Sequence, residues 1–260
     1  MHHLNRLKLS ALVASTATAL TCLNFNLVAK AASIVNGGFN ADLSGWTLVE
    51  QTGAAGSWFF TEGGISALGG NPILAPSEGA GYAHSAQTDP TSQVLFQDIA
   101  LEADTEHLLS FDWFAQDWSD NFIDAGTMDF TGDPNQHFRV DLVSTDFNDW
   151  FGPDSSTGVL ANILAPVAEL SAVTSWNSLD FDLTPWAGES VRLAFRQVDN
   201  QFFFNAGIDD VSIASTPISV DPPVVEPPVD DTQSVPEPTA IVGLAMLGTL
   251  FLKKSRVASV

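Results

Sequence analysis

The sequence predicts an all-β fold, an antiparallel β-sandwich, with a signal peptide before it and a proline-rich linker and hydrophobic anchor helix after it. Short runs rich in β-branched and aromatic residues recur through the body, separated by Gly, Pro, Asn and Asp. Apolar and polar residues alternate within several runs, as in half-buried antiparallel strands. Hydrophobic residues make up 45% of the chain, which favours a packed core over disorder.

Residues 1–31 have the layout of a secretory signal peptide. A short segment with two basic residues precedes a mostly apolar run, 9–28. Small residues at −3 and −1, Ala29 and Ala31, predict cleavage before Ala32. An uncleaved membrane anchor is the alternative, and the polar residues within the run disfavour it.

Residues 32–214 are predicted to form one domain of about nine strands, with a weak helical period at Gly158–Ala172. Alternation also places Arg192 and Arg196 on one strand face, where we expect them to pair with carboxylates. The predicted strands are Ser33–Val35, Trp46–Glu50, Ser57–Thr61, Gln93–Leu101, His107–Trp113, His137–Ser144, Ser178–Leu183, Val191–Val198 and Ala206–Ala214.

The charge distribution excludes several kinds of partner. The chain has 31 acidic and 9 basic residues, a net charge of −22. The interval from Ser33 to Pro238 holds all the carboxylates, only three arginines and no lysine. Such a body repels phosphates and anionic lipids, which predicts no nucleic-acid binding. It also attracts divalent cations. The single cysteine, Cys22, precedes the body, so the body has neither disulfides nor thiolate metal sites.

The end of the chain carries a linker and a candidate sorting signal. Residues 215–234 are acidic and rich in proline, which predicts an extended polyproline II stalk. In residues 235–260, the tripeptide Pro236-Glu237-Pro238 precedes a hydrophobic segment, 239–252, and a basic tip. This order resembles the PEP-CTERM sorting signal of Gram-negative bacteria. The resemblance implies export, transient retention in the inner membrane by the tail, cutting by an exosortase, and delivery to the cell surface or extracellular matrix.

A second resemblance concerns the body. Residues 33–40 are SIVNGGFN, and Leu43-Ser44-Gly45-Trp46 follows them. Together with LFQDI at 95–99, LSF at 109–111 and GIDDVSI at 207–213, they resemble galactose-binding-like jelly rolls. Carbohydrate-binding modules found beside glycoside hydrolases belong to this group. The resemblance implies a jelly roll whose first and last segments are neighbours.

The same resemblance implies a structural Ca²⁺ where the opening turn meets the final strand. The matching positions are Asn36, Asn40, Asp209 and Asp210, with Asp42 nearby. Asn40 stands where the family usually has Glu. Because consecutive strand residues point to opposite faces, only one of Asp209 and Asp210 is expected to ligate. The alternative is that both are solvated turn carboxylates.

Aromatic residues in loops are the candidate ligand contacts. Trp118 and Phe122 lie in the acidic segment 112–133, and Trp150 and Phe151 lie in another turn-rich loop. A sugar could stack its C–H face on such rings while nearby acids accept its hydroxyl protons. The alternative is that these rings belong to the core. Three consecutive phenylalanines, 202–204, cannot all face one way, which predicts that at least one is exposed or covers a sheet edge.

These observations predict a non-catalytic, exported surface or matrix protein that binds extracellular polysaccharide or another surface ligand. No nucleophile motif, paired-histidine metal motif or phosphate-binding loop occurs in the sequence. One alternative is a structural biofilm component crosslinked by Ca²⁺. A second is a polysaccharide hydrolase, because two of the 31 carboxylates could approach each other in the fold.

Overall fold

A computed structural model of the chain describes residues 32–118, 123–166 and 175–219. These ranges contain twelve β-strands and one short 3-10 helix, Thr184–Trp186. The strands are β1 (Thr47–Glu50), β2 (Gly56–Thr61), β3 (Gly64–Ile65), β4 (Pro72–Ile73), β5 (Tyr82–Gln87), β6 (Thr91–Ala100), β7 (Thr105–Asp117), β8 (Gln136–Ser144), β9 (Val159–Leu164), β10 (Asn177–Asp182), β11 (Ser190–Asp199) and β12 (Phe204–Pro217).

Ten of these strands form two five-stranded antiparallel sheets. Sheet A has the order β1-β6-β11-β8-β9, and sheet B has the order β10-β7-β12-β5-β2. The remaining pair, β3 and β4, is a separate two-stranded sheet. The predicted all-β class with two antiparallel sheets is confirmed.

The core lies between the two sheets because alternate residues of each strand point inward. In β11, Leu193 and Phe195 join the main core cluster, whereas Ala194 packs in a separate cluster with Trp150. Sheet B contributes Phe111 and Ile208 to the main cluster. The alternation in the sequence therefore predicts correctly which side of β11 is buried between the sheets.

Two predicted elements differ from the structure. Ser33–Val35 is not a strand, because the backbone of Val35 hydrogen-bonds to the side chain of Gln97 and not to the backbone of a neighbouring strand. The Gln97 amide accepts the Val35 N–H at 2.7 Å and donates to the Val35 carbonyl at 2.9 Å. The candidate helix at Gly158–Ala172 begins with strand β9 instead, which pairs with β8. In addition, β5 has no counterpart among the predicted strands.

Several predicted features lie outside the described residues. They are the signal peptide (1–31), Phe122, most of the linker and the sorting signal (235–260) with its hydrophobic segment 239–252. Strand β12 extends through Pro217, into the predicted linker. Within the described ranges, no helix is long and apolar enough to span a bilayer.

Candidate ligand-binding cleft

A cleft opens at one end of the sandwich. Strands β5 and β11 end there and β6 and β12 begin there, as shown by the pairing of Thr91 with Asp199. The connections 88–90 and 200–203 therefore face each other across a cavity of about 250 Å³. Its lining consists of Gln87, Thr88, Asp89, Pro90, Asp199, Asn200, Gln201, Phe202 and Phe203.

Two exposed aromatic side chains lie beside this cleft. Phe202 is 55% exposed and Trp118 is 40% exposed. The Trp118 N–H donates to the Phe203 carbonyl at 3.1 Å, so the end of β7 is attached to the loop that carries Phe202. The rings of Phe202 and Phe203 meet edge to face, with centroids 4.9 Å apart. Phe204, by contrast, is in the core, so the three phenylalanines separate as alternation predicts.

A buried carboxylate, Asp199, shapes the loop behind the aromatic residues. Asp199 is only 1% exposed. Its Oδ1 accepts the Gln201 N–H at 2.8 Å, and its Oδ2 accepts the Gln87 amide. Burial raises the pKa of Asp199 to about 7, and the nearby Asp117 carboxylate adds to the rise. The hydrogen bonds from Gln87 and from the loop backbone oppose that rise.

A chain of glutamine amides connects this loop to the core. Gln93 Nε2 donates to Gln197 Oε1 at 3.0 Å, and Gln197 Nε2 donates to Gln87 Oε1 at 2.8 Å. Gln87 Nε2 in turn donates to the Phe202 carbonyl at 3.2 Å, as well as to Asp199. Each glutamine amide donates through its nitrogen and accepts through its oxygen. This row of hydrogen bonds therefore holds the loop 200–203 in one position.

The structure places the other predicted aromatic pair differently. Trp150 is only 5% exposed and stacks on Phe96, with centroids 5.3 Å apart. Phe151 is half-buried against the same cluster. The expectation that Trp150 offers an open face to a ligand is therefore wrong, because its loop folds back onto the outer face of sheet A.

Arginines on that outer face hold the loop down. Arg192 Nη1 donates to the Phe147 carbonyl at 2.8 Å, and Arg196 Nη2 donates to the Trp150 carbonyl at 3.1 Å. Arg192 also pairs with Asp98, its Nε lying 2.5 Å from Oδ1. Backbone carbonyls are good acceptors for guanidinium groups. The two arginines therefore fix the loop by hydrogen bonds, in addition to the packing of its aromatic rings on the sheet.

Asp141 is the centre of a second, fully buried ion cluster. Its Oδ2 lies 2.7 Å from both Arg139 Nε and Arg196 Nη1. Asn162 donates to Oδ1 at 2.7 Å, and Arg139 Nη1 donates to the Ser155 hydroxyl at 2.8 Å. The predicted ion pairing of Arg192 and Arg196 is confirmed. Every arginine among the described residues is thus engaged on sheet A, away from the cleft.

The opening turn and the final strand meet, as the sequence resemblance implies. The Val211 N–H donates to the Gly37 carbonyl at 3.0 Å. Any side chain at position 37 would collide with the Val211 carbonyl, which explains the glycine. Asp209 is fully buried and Asp210 is exposed, so the two carboxylates point to opposite sides as expected.

The predicted calcium ligands already have protein partners. Asp209 Oδ2 accepts the Ser77 N–H and hydroxyl, both at 3.0 Å. Asn36 donates its amide N–H to the Asp42 and Ser44 carbonyls, at 2.8 and 3.0 Å. Asp42 Oδ1 accepts the Ser44 N–H at 2.9 Å, and Asn40 Oδ1 accepts the Ala80 N–H at 3.2 Å.

This arrangement does not fit a calcium ion. Calcium needs six to eight oxygen ligands, and an ion at these positions would have to displace the hydrogen bonds to Asp209 and Asn40. No group of three or more His, Cys, Asp or Glu residues in the described part of the chain forms a metal-binding arrangement. Calcium stays a prediction of the sequence resemblance.

The fold and cleft define a class, a β-sandwich with a polar, aromatic-edged cleft at one loop end. No protein-family model matches the chain, and no curated protein matches it in sequence. Solved structures do show a similar fold. TmCBM61, in complex with beta-1,4-galactotriose, is 12% identical with a TM-score of 0.42, and the match covers 69% of this chain and 94% of that one.

Two further solved structures, of other kinds of protein, have a similar fold. The K1 cleaved adhesin domain of Lys-gingipain from Porphyromonas gingivalis W83 is 18% identical, with a TM-score of 0.43. That match covers 71% of this chain and 98% of that one. A cyclase from Fischerella sp. TAU, in complex with 4-(1H-indol-3-yl)butan-2-one, is 15% identical, with a TM-score of 0.43 and coverage of 72% and 98%. These likenesses concern the fold.

Proposed function

We propose that the protein is an exported, exosortase-sorted surface or matrix protein whose β-sandwich binds extracellular polysaccharide without catalysis. The observation that carries the proposal is the pair of exposed rings, Trp118 and Phe202, beside a polar cleft. Flat aromatic faces suit the C–H faces of sugars, and hydroxyl groups need hydrogen-bonding partners once they leave water. Gln201 and Asp89 line the cleft and offer such partners, whereas the Asn200 amide is already hydrogen-bonded to the Phe130 and Asp133 carbonyls.

The geometry of Asp199 supports a binding role over a catalytic one. A general acid must reach the atom that it protonates. Both Asp199 oxygens are instead occupied by the Gln201 N–H and the Gln87 amide, and the side chain is almost fully buried. Asp199 therefore acts on the ligand indirectly, by positioning the loop that carries Phe202.

A polysaccharide hydrolase is the second candidate function. One observation favours it: the cleft pairs the exposed Asp89 with Asp199, whose pKa of about 7 is in the range of a general acid. Incubating the purified chain with a polysaccharide panel and assaying new reducing ends tests this role. Turnover that disappears in Asp199→Asn would replace the binding proposal with the hydrolase.

Glycan retention is expected to depend on the exposed rings. Trp118→Ala and Phe202→Ala should each weaken binding of the full chain to its best polysaccharide by about three- to tenfold, because each removes a stacking face. Leu108→Ala is the matched control, since Leu108 is exposed but lies at the opposite end of β7. Affinity electrophoresis on a polysaccharide panel gives the measurement. Unchanged retention in both aromatic variants would refute the cleft as the binding site.

The same assay with EDTA distinguishes the calcium-crosslinked matrix component. For a glycan-binding cleft without calcium, EDTA should leave retention unchanged. Assembly of the chain that needs calcium and shows no preference among polysaccharides would favour the structural alternative.

Sorting by an exosortase predicts a shortened mature protein. If the tail is removed after export, the extracellular form should end near Pro236-Glu237-Pro238, and the hydrophobic segment 239–252 should be absent. Intact-mass measurement of the protein recovered from the cell surface tests this directly. A surface form that keeps the basic residues Lys253 and Lys254 would contradict processing at this motif.

A further inference from the structure

The charges around the cleft are of one sign. Asp89 is exposed on its rim, and Asp199 lies in its floor. The Asp117 carboxylate lies close enough behind Asp199 to raise its pKa. These three carboxylates belong to different elements, the β5–β6 connection, β11 and β7, so the fold brings them together at one end of the sandwich.

No arginine of the described ranges lies at the cleft beside Asp89 and Asp199. The arginines of those ranges are Arg139, Arg192 and Arg196, and all three lie on the outer face of sheet A. Asp98 and Asp141 pair with them, and loop carbonyls accept their remaining contacts. A uronic-acid or sulfated chain entering the cleft would therefore meet carboxylates and no compensating positive charge from the described residues.

The aromatic rings at the cleft add a second preference for positive charge. The faces of Phe202 and Trp118 carry the negative part of the ring quadrupole, and both residues are exposed to solvent. An ammonium group beside Phe202 would meet a ring face and the Asp89 carboxylate together. A neutral hydroxyl or acetamide group gains from the hydrogen bond alone.

We propose that the cleft selects glycans that carry protonated amino groups, as in β-1,4-linked glucosamine chains, over their N-acetylated and acidic counterparts. This inference rests on the proposed function. The aromatic pair supplies stacking for the sugar rings, and the exposed Asp89 carboxylate pairs with the ammonium group, while Asp199 holds the loop that carries Phe202. Gln201 remains as a partner for the hydroxyl groups.

The test compares two charge-neutralising variants of the full chain. Asp89→Asn removes the carboxylate on the cleft rim, and Glu189→Gln removes one carboxylate at the far end of β11 with the same change in net charge. Calorimetric titration uses glucosamine hexamers, N-acetylglucosamine hexamers and an acidic uronate oligomer. Asp89→Asn should weaken binding of the glucosamine hexamer about two- to fivefold, whereas Glu189→Gln should leave it unchanged.

Two results would overturn the inference. The first is equal or tighter binding of the N-acetylated or uronate oligomers. The second is an equal loss in Asp89→Asn and Glu189→Gln, which would mean that only the overall negative charge attracts the amine. If the N-acetylated oligomer binds as tightly as the glucosamine oligomer and Trp118→Ala weakens its binding, the polysaccharide-binding proposal stands and the amine preference falls. If no oligomer or polysaccharide binds, both fall.

Discussion

Replacing Asp141 by alanine is expected to lower the free energy of unfolding by about 3–5 kcal/mol, because breaking a buried ion pair leaves its partner charges uncompensated. The substitution leaves Arg139 and Arg196 buried with no carboxylate between them. Arg196 is already fully buried, with no hydrogen-bond partner for its Nε. Two facing guanidinium groups without a counter-charge also weaken the attachment of the loop that contains Trp150.

Urea denaturation of Asp141→Ala and of Asp98→Ala measures this difference. Asp98 pairs with Arg192, but its side chain is half exposed, so we expect its loss to cost less than about 1 kcal/mol. Asp141→Asn serves as a second variant, because it keeps the shape of the side chain while removing the charge. Equal stability losses at positions 98 and 141 would show that burial of the Asp141 cluster does not govern its contribution.

The free energy of unfolding is expected to depend on pH through the titration of Asp199. Its ordinary pKa of 3.8 rises to about 7 in the fold. As the pH rises from about 4 to 7, the unfolded chain loses this proton first, and the folded state loses relative stability. The contribution is fully present below about pH 4 and gone above about pH 7. Its full size is about 4 kcal/mol, since each pKa unit corresponds to about 1.4 kcal/mol.

Subtracting the Asp199→Asn curve from that of the unsubstituted protein isolates this contribution. The difference in unfolding free energy should shift by about 2–4 kcal/mol in favour of the variant between about pH 4.5 and 8. Urea denaturation at matched pH values provides the curves. A difference that does not change with pH would mean that Asp199 is ionised throughout, and its role in holding the Phe202 loop would then be independent of pH.

A buried histidine, His84, should make stability change with pH in the opposite direction, and it therefore serves as an internal control. Burial lowers the pKa of His84 from 6.5 to about 3, and neither ring nitrogen has a hydrogen-bond partner. The unfolded chain therefore takes up a proton below about pH 6.5 before the folded one does, and stability falls as the pH falls. His84→Gln should gain stability relative to the unsubstituted protein as the pH falls from about 7 to 4, whereas Asp199→Asn should lose it.

Strong alternation makes most of the strands predictable. β8 and β11 alternate apolar and polar residues, and their predicted ends lie within one or two residues of the observed ones. β5 escapes prediction because Tyr82–Gln87 is buried on both faces and contains no β-branched residue. β9 resembles a possible helix in the sequence because its short apolar run is compatible with either period.

The candidate site is only partly predictable, since its parts come from distant segments. The sequence indicates Trp118 and an exposed phenylalanine within 202–204 separately, but their attachment through the Phe203 carbonyl depends on the pairing of β7 with β12. Asp199 has no sequence signal beyond its place at the end of a strand. The burial of Trp150 is not predictable because the arginine contacts that cause it join residues more than 40 positions apart.

The direction of β12 places the cleft and the end of the described chain at opposite ends of the sandwich. This strand starts at Phe204 beside the cleft and runs 14 residues to Pro217, about 45 Å at the usual rise per residue. The chain enters at that far end too, where the Ala32 N–H donates to Glu102 at 2.9 Å, just ahead of β7. The aromatic pair therefore lies at the end of the sandwich opposite to both Ala32 and Pro217.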